Sequence, residues 1–238
     1  MTRARGDAMR CQMWAFWAML GSALMTVAAL VRGAWAWALV LGLITVAADR
    51  AARIWSRHDP APMPYWMRWI LLAPRPYQSS GRLKRILDPR SGERLLEVGA
   101  GIGVHAFPVA AALGPGGTLN VLDVQPAMLD DLMRRATQAG VKNIVATRGD
   151  ARTLPFPDRT FDGAYLISVL GEIPDDDLAL QELRRVLKPN GRLVVGEFFI
   201  DPDFISTAEL QQRISRAGFA FDRRIGPSLA YLARFTAT

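Results

Sequence analysis

Two long apolar runs open the chain, and short apolar segments alternate with amphipathic ones over the remainder. Met13 to Val31 passes 19 residues without a charge, interrupted only by Gly21, Ser22 and Thr26. After Arg32 and Gly33, a second run from Ala34 to Ala48 carries one polar residue, Thr45. As helices they would measure roughly 28 Å and 23 Å at about 1.5 Å per residue, against a hydrocarbon core of about 30 Å. Trp14, Trp17, Trp35 and Trp37 stand at the ends of the runs, where indole rings favour the membrane–water boundary. Arg3, Arg5 and Arg10 precede the runs and Arg50, Arg53 and Arg57 follow them. The positive-inside tendency then puts both ends in the cytoplasm, with the Arg32–Gly33 turn across or within the bilayer. The pattern predicts a membrane-associated helical hairpin over residues 1–58, spanning or re-entrant. Two other readings are a signal segment cleaved near Ala34-Trp35-Ala36 and a hydrophobic hairpin buried between subunits.

Residues 59–81 read as a linker. Asp59-Pro60-Ala61-Pro62-Met63-Pro64 cannot be helical through its prolines. Tyr65 to Leu72 (YWMRWILL) is apolar and aromatic around Arg68, which predicts a short helix lying at an interface or covering a pocket. Gly81 to Leu87 reads as an amphipathic helix with Leu83, Ile86 and Leu87 on its apolar face, stopped by Pro89.

Strands and helices alternate from Arg94 onward. Strand-like runs fall at 95–98, 119–122, 144–147, 163–167, 193–199, 219–224 and 229–235. Helical patterns fall at 104–113, 127–139, 177–187 and 207–217, the last opened by the capping box Ser206-Thr207-Ala208-Glu209. This alternation predicts an α/β domain over 82–238, with a largely parallel, helix-covered sheet. The last two strands are joined too closely for a helical crossover, so the final one should run antiparallel to its neighbour.

Charge sharpens this division. The net charge is +7, yet residues 1–95 carry 14 Lys and Arg against 5 Asp and Glu, whereas residues 96–238 carry 15 against 17. A basic excess confined to the first 95 residues argues against a nucleic-acid groove on the α/β domain and for a basic collar near something anionic. Cys11 is the single cysteine, so an intrachain disulfide is excluded. His58 and His105 lack ligand-spaced partners, so no zinc or other metal site is expected.

The candidate chemistry begins at Glu97-Val98-Gly99-Ala100-Gly101-Ile102-Gly103, a glycine loop between a strand and a helix. Glycines there let the backbone turn tightly, and the helix start offers free N–H groups to a ligand. The glycines fall as G-x-G-x-G, and Val104 occupies the third glycine position of the dinucleotide fingerprint. Asp123 ends the second strand, 20 residues after Gly103, where a carboxylate can take both hydroxyls of a ribose. Capping the following helix ahead of Pro126 is its simpler role. Asp150, in Gly149-Asp150-Ala151 after the third strand, could accept from an adenine amino group or merely shape a turn.

Taken in order, these stretches resemble class I S-adenosylmethionine-dependent methyltransferases. The similar segments are LLEVGAGIG (95–103), LDVQPAML (122–129), GDARTLPFPDRTFD (149–162), LISVLGEIPD (166–175), ELRRVLKPNGRLVVGE (182–197) and RAGF (216–219). They cover roughly two thirds of the chain and resemble most the group containing ubiquinone/menaquinone-biosynthesis and related small-molecule enzymes. The resemblance implies a Rossmann-like seven-stranded sheet with an antiparallel last strand, and S-adenosylmethionine as cofactor. It implies that Glu97 and the glycines Gly99, Gly101 and Gly103 hold the methionine moiety, Asp123 the ribose and Asp150 the adenine, with Ala100, Val124 and Ala151 also in the cofactor-binding set. Ser168, after the fourth strand, completes the cofactor-binding set.

Methyl transfer from a sulfonium asks the protein mainly to position two reactants and exclude water. Relatives often carry a histidine pair where this chain has Gly171-Glu172, which leaves Glu172 as the acid/base or cation-stabilising candidate, beside the plainer reading of a turn carboxylate. The absence of an [N/D]-P-P-[Y/F] signature speaks against methylation of a nucleic-acid amino group. The acceptor expected from the apolar N-terminus is a lipid or other hydrophobic molecule: a phospholipid headgroup, a quinone or isoprenoid, or a lipophilic thiol. The alternatives are a soluble acceptor with the hairpin as a mere anchor, and a non-catalytic cofactor-binding adaptor.

Overall fold

The computed structural model describes the backbone of residues 2–238 and the side chains from Trp17 onward, Pro76 excepted. The side chains of Arg3, Arg5, Arg10, Cys11 and Trp14 lie outside the described residues. The chain forms two compact units, Met1–Ala61 and Pro62–Thr238.

The first unit is a pair of helices, α1 (Thr2–Val31) and α2 (Trp35–His58). The turn between them is closed by Gly33 at φ 70° and by the N–H of Ala34 donating to Ala29 O at 2.9 Å. Thr45 Oγ1 donates to Ser22 Oγ at 2.8 Å, pairing the polar positions of the two apolar runs. Ser22 Oγ donates in turn to Ala18 O, and Leu41 O, 2.8 Å from Thr45 Oγ1, is the alternative acceptor for the single Thr45 proton, so neither hydroxyl is left unsatisfied in apolar surroundings. Among the described residues, α2 is the helix long and apolar enough to cross a membrane, and the described apolar part of α1, Trp17–Val31, is shorter. The second helix is longer than its apolar run because an amphipathic segment continues it, held by the Asp49–Arg53 ion pair at 2.9 Å. Much of the pair's surface is bare hydrocarbon: Leu24, Val31, Trp35, Trp37, Leu39 and Leu43 are all exposed, an area far beyond scattered surface apolars.

In the second unit, β1 (Arg94–Val98), β2 (Thr118–Asp123), β3 (Ile144–Arg148), β4 (Phe161–Ile167), β5 (Leu187–Phe198), β6 (Phe219–Ile225) and β7 (Ala230–Ala237) form one sheet. Its order is β3-β2-β1-β4-β5-β7-β6. The pairs among β1 to β5 are parallel, while β7 is antiparallel to β5 and to β6. Side chains alternate across β1: Leu95 enters one core with Leu83, Leu113 and Tyr165, and Leu96 enters the other with Leu166, Leu183 and Phe235. Burial on both faces is what a parallel strand in a helix-covered sheet requires. Helices α3 (Ser80–Leu87), α4 (Ala106–Leu113), α5 (Pro126–Gln138), α6 (Asp176–Val186) and α7 (Thr207–Arg216) supply the cover. The expected cap of α7 is present, with Ser206 Oγ accepting from Glu209 N at 3.3 Å.

β1 lies between β2 and β4, so the strand order reverses there and opens a crevice at the carboxyl ends of the strands. Residues 62–79 cross that crevice as a strap. Within it, the expected short helix over Tyr65–Leu72 is a 3-10 helix, bounded by Pro64 and Pro74.

Candidate active site

The glycine loop leaves β1 at Val98 and turns under two close neighbours. Gly99 has φ 70°, and a Cβ there would meet Val169 Cγ2 at 2.4 Å. Gly101 has φ 52°, and a Cβ there would stand 2.9 Å from Leu71 Cδ1 of the strap. Both positions therefore demand glycine on conformational and steric grounds. The loop is tied to β2, since Gly99 N donates to Leu122 O at 2.8 Å and Gly101 N donates to Asp123 Oδ2 at 3.0 Å. The other oxygen of Asp123 accepts from Gln125 N at 2.9 Å. Burial pushes the Asp123 carboxyl up, and the N–H groups of Gln125, Gly101 and Val124 oppose that rise. Each carboxylate oxygen keeps a further acceptor position.

A cavity of about 380 Å³ lies between loop and strap. Its floor is Glu97, Gly99, Ala100 and Gly101, and the strap roofs it with Leu71, Leu72, Pro74, Arg75 and Gln78. Glu97 is buried and accepts from Tyr165 Oη at 2.9 Å. Burial pushes its carboxyl up to about 8 against the Tyr165 hydrogen bond, with the Asp123 charge adding to the rise. Gln78 is also buried; its Nε2 donates to Ser168 Oγ at 3.4 Å, while its Oε1 has no hydrogen-bond partner. His105 lines the same wall, with Nδ1 3.4 Å from Ser80 Oγ. Burial and then the Arg75 charge push that imidazole down to about 4, so it is neutral at physiological pH.

The strap is fastened at several points. Gln125 Nε2 donates to Met63 O at 2.9 Å, and Met63 N donates to Glu172 Oε2 at 3.4 Å. Arg68 pairs with Asp131 at 3.3 Å while its guanidinium lies over the rings of Tyr65 and Trp69. YWMRWILL thus covers a pocket, one of its two anticipated roles, and leaves Trp66 and Trp69 exposed.

Of the residues singled out by sequence, Glu97, Gly99, Ala100 and Gly101 meet at the cavity, with Asp123 bonded to the loop behind them. Gly103 packs its backbone against Leu132 and Phe107. Ser168 sits at φ 55° and touches the roof through Gln78. Val124 is exposed after β2, and Ala151 is buried in the core beyond β3. Asp150 is gripped by Arg152, whose Nη2 lies 2.6 Å from Oδ2. Glu172 faces Asp203 and Asp201, and burial with these two charges pushes its carboxyl well above the ordinary range. Arg75, Gln78, Ser80 and His105 were not anticipated. Three of them lie in a proline-broken stretch without periodicity, and His105 was weighed only as a metal ligand.

Residues 95–191 match a family described as methyltransferase domain. A ubiquinone/menaquinone biosynthesis C-methyltransferase UbiE from Cellvibrio japonicus is 39% identical over 110 residues, which are 46% of this chain and 44% of that protein. Aklanonic acid methyltransferase DauC from a Streptomyces species is 35% identical over 134 residues, 52% of this chain and 60% of that protein. The chain thus spans about half the length of the curated relatives it matches. Among solved structures, a SAM-dependent methyltransferase from Aquifex aeolicus aligns with TM-score 0.67 at 20% identity, covering 73% of this chain and 98% of that one.

Fold, family match and relatives agree: the second unit is similar to class I S-adenosylmethionine-dependent methyltransferases. Within that class it is similar to quinone-biosynthesis C-methyltransferases. The implied cofactor is S-adenosylmethionine, and the residues present fit it. Its cationic, N–H-bearing end suits a cavity holding a buried carboxyl, Glu97, and an acceptor without a donor, Gln78 Oε1.

Proposed function

We propose that the protein is a membrane-associated methyltransferase whose acceptor is a lipid or another hydrophobic molecule of the bilayer. The observation that carries this reading is α2, an apolar helix of 24 residues that is barely buried. Two further features support it. The strap over the cavity leaves Trp66 and Trp69 exposed, as aromatic side chains at a membrane boundary are. The named relatives include methyltransferases of quinone biosynthesis. Residues 1–58 are the membrane-associated hairpin in this reading, 59–81 the linker and interfacial segment, and 82–238 the catalytic domain, facing the cytoplasm.

In the cofactor site, Glu97 and the glycines at 99, 101 and 103 with Ala100 take the methionine moiety. Asp123 and Val124 take the ribose, Asp150 and Ala151 the adenine edge, and Ser168 borders the methyl group. The bound cofactor supplies an activated methyl on a sulfonium. The chain's own contribution is to orient that methyl toward the acceptor and exclude water through the roof of Leu71, Leu72 and Pro74. Glu172, whose carboxyl is pushed well above the ordinary range by burial and the Asp203 and Asp201 charges, is the acid/base candidate, and Glu172→Gln retaining full turnover would remove it from that role. Cell fractionation tests membrane association: the full chain should sediment with membranes and require detergent, and monodisperse protein without detergent would contradict it.

A further inference from the structure

We infer that Arg75 is the counter-charge for the cofactor's α-carboxylate, so that the strap, outside the matched family region, binds the amino-acid end of S-adenosylmethionine. This rests on the reading of the cavity as the cofactor site. Arg75 lines the cavity wall with Glu97 and Gln78. Among the described residues its guanidinium has no ion pair or hydrogen bond, whereas those of Arg68, Arg152, Arg185 and Arg213 are ion-paired. A guanidinium left unpaired on the wall of a cavity favours a planar anion that it can meet with two N–H bonds.

The other polar groups of the cavity have the opposite preference. Glu97 offers a carboxylate, and Gln78 Oε1 is a buried acceptor with no donor, so together they suit an ammonium group. One cavity holding a cation on the roof, a carboxylate on the floor and a free acceptor beside it matches a zwitterionic amino acid. His105 and Ser80 border the same wall as neutral partners. An anion beside Arg75 would also relieve its repulsion of a protonated His105. Because Arg75 belongs to the strap, a bound cofactor ties roof to floor. Strap and cofactor then hold each other in place.

The test is a pair of ligands titrated calorimetrically into the full chain in detergent. S-Adenosylhomocysteine carries the amino-acid end, and 5′-methylthioadenosine lacks it. In the wild type, both should bind. Arg75→Met should weaken S-adenosylhomocysteine by about tenfold to a hundredfold, the range for a hydrogen-bonded charge, and leave 5′-methylthioadenosine unchanged. Equal losses for the two ligands would show that Arg75 merely supports the strap, and unchanged affinity for both would remove it from binding; either overturns the inference. Failure of the wild type to bind S-adenosylhomocysteine would instead overturn the cofactor reading on which it rests.

Discussion

Asp123 Oδ2 accepts the backbone N–H of Gly101 at 3.0 Å, joining the end of β2 to the turn of the glycine loop. The same carboxylate caps Gln125 N at 2.9 Å, so one side chain fixes the loop while keeping acceptor positions for a ribose. Asp123→Ala should therefore act twice. Loss of hydrogen bonds to a charged group lowers stability by about 1–3 kcal/mol, read from urea unfolding. Cofactor affinity should fall more than about tenfold, read by calorimetry, and Asp123→Asn should restore more of the stability than of the binding.

Glu97 makes binding pH-dependent. With its carboxyl near 8 in the free protein, it is protonated at neutral pH, whereas a bound cation favours the ionised form. Affinity should then rise by roughly tenfold per pH unit up to about 8 and level off above it, with close to one proton released per ligand at pH 7. Titrations in buffers of different ionisation enthalpy measure that release directly, and Glu97→Gln should abolish it.

The same group has a cost for the free protein. A folded pKa raised from 4.5 to about 8 means stability that is fully present below the lower value and lost as pH rises through the upper one. Glu97→Gln should therefore match the wild type in stability near pH 4 and exceed it above pH 8, by up to about 5 kcal/mol at about 1.4 kcal/mol for each pH unit between the two values. Binding is lost in the same variant, a trade typical of a functional site.

At Gly101 the positive φ and the Leu71 side chain leave no room for a branched residue. Gly101→Val should displace the strap and abolish cofactor binding while the remote core, measured by the main unfolding transition, loses only about 1–3 kcal/mol. Protease cleavage within residues 62–79 should become faster in this variant.

Most of the second unit was legible in the sequence because each strand and helix repeats a local period, and β-strand pairing at the sheet edge follows from the short β6–β7 link. Most boundaries moved by a residue or two, but β5 begins at Leu187, six residues before the expected start at Leu193. The loop, Asp123 and Glu97 were legible because a motif places them at strand ends. The roof was not. Arg75 stands between Pro74 and Pro76 and Gln78 two residues after them, where no period operates, and their position depends on contacts made across the sheet edge, such as Gln125 with Met63. His105 carried no signal beyond being one of two histidines. Asp150 was placed correctly at the end of β3, but its grip by Arg152 depends on side-chain geometry that spacing alone does not reveal.

The acceptor is tested most directly by methyl transfer itself. Full-length protein in detergent-solubilised membranes is given methyl-labelled S-adenosylmethionine and a total membrane-lipid extract, beside an Asp123→Ala control. Label should appear in the solvent-extractable lipid fraction with the wild type and be lost in the control. Label confined to water-soluble products, or no transfer by protein that binds the cofactor, would contradict a membrane-resident acceptor.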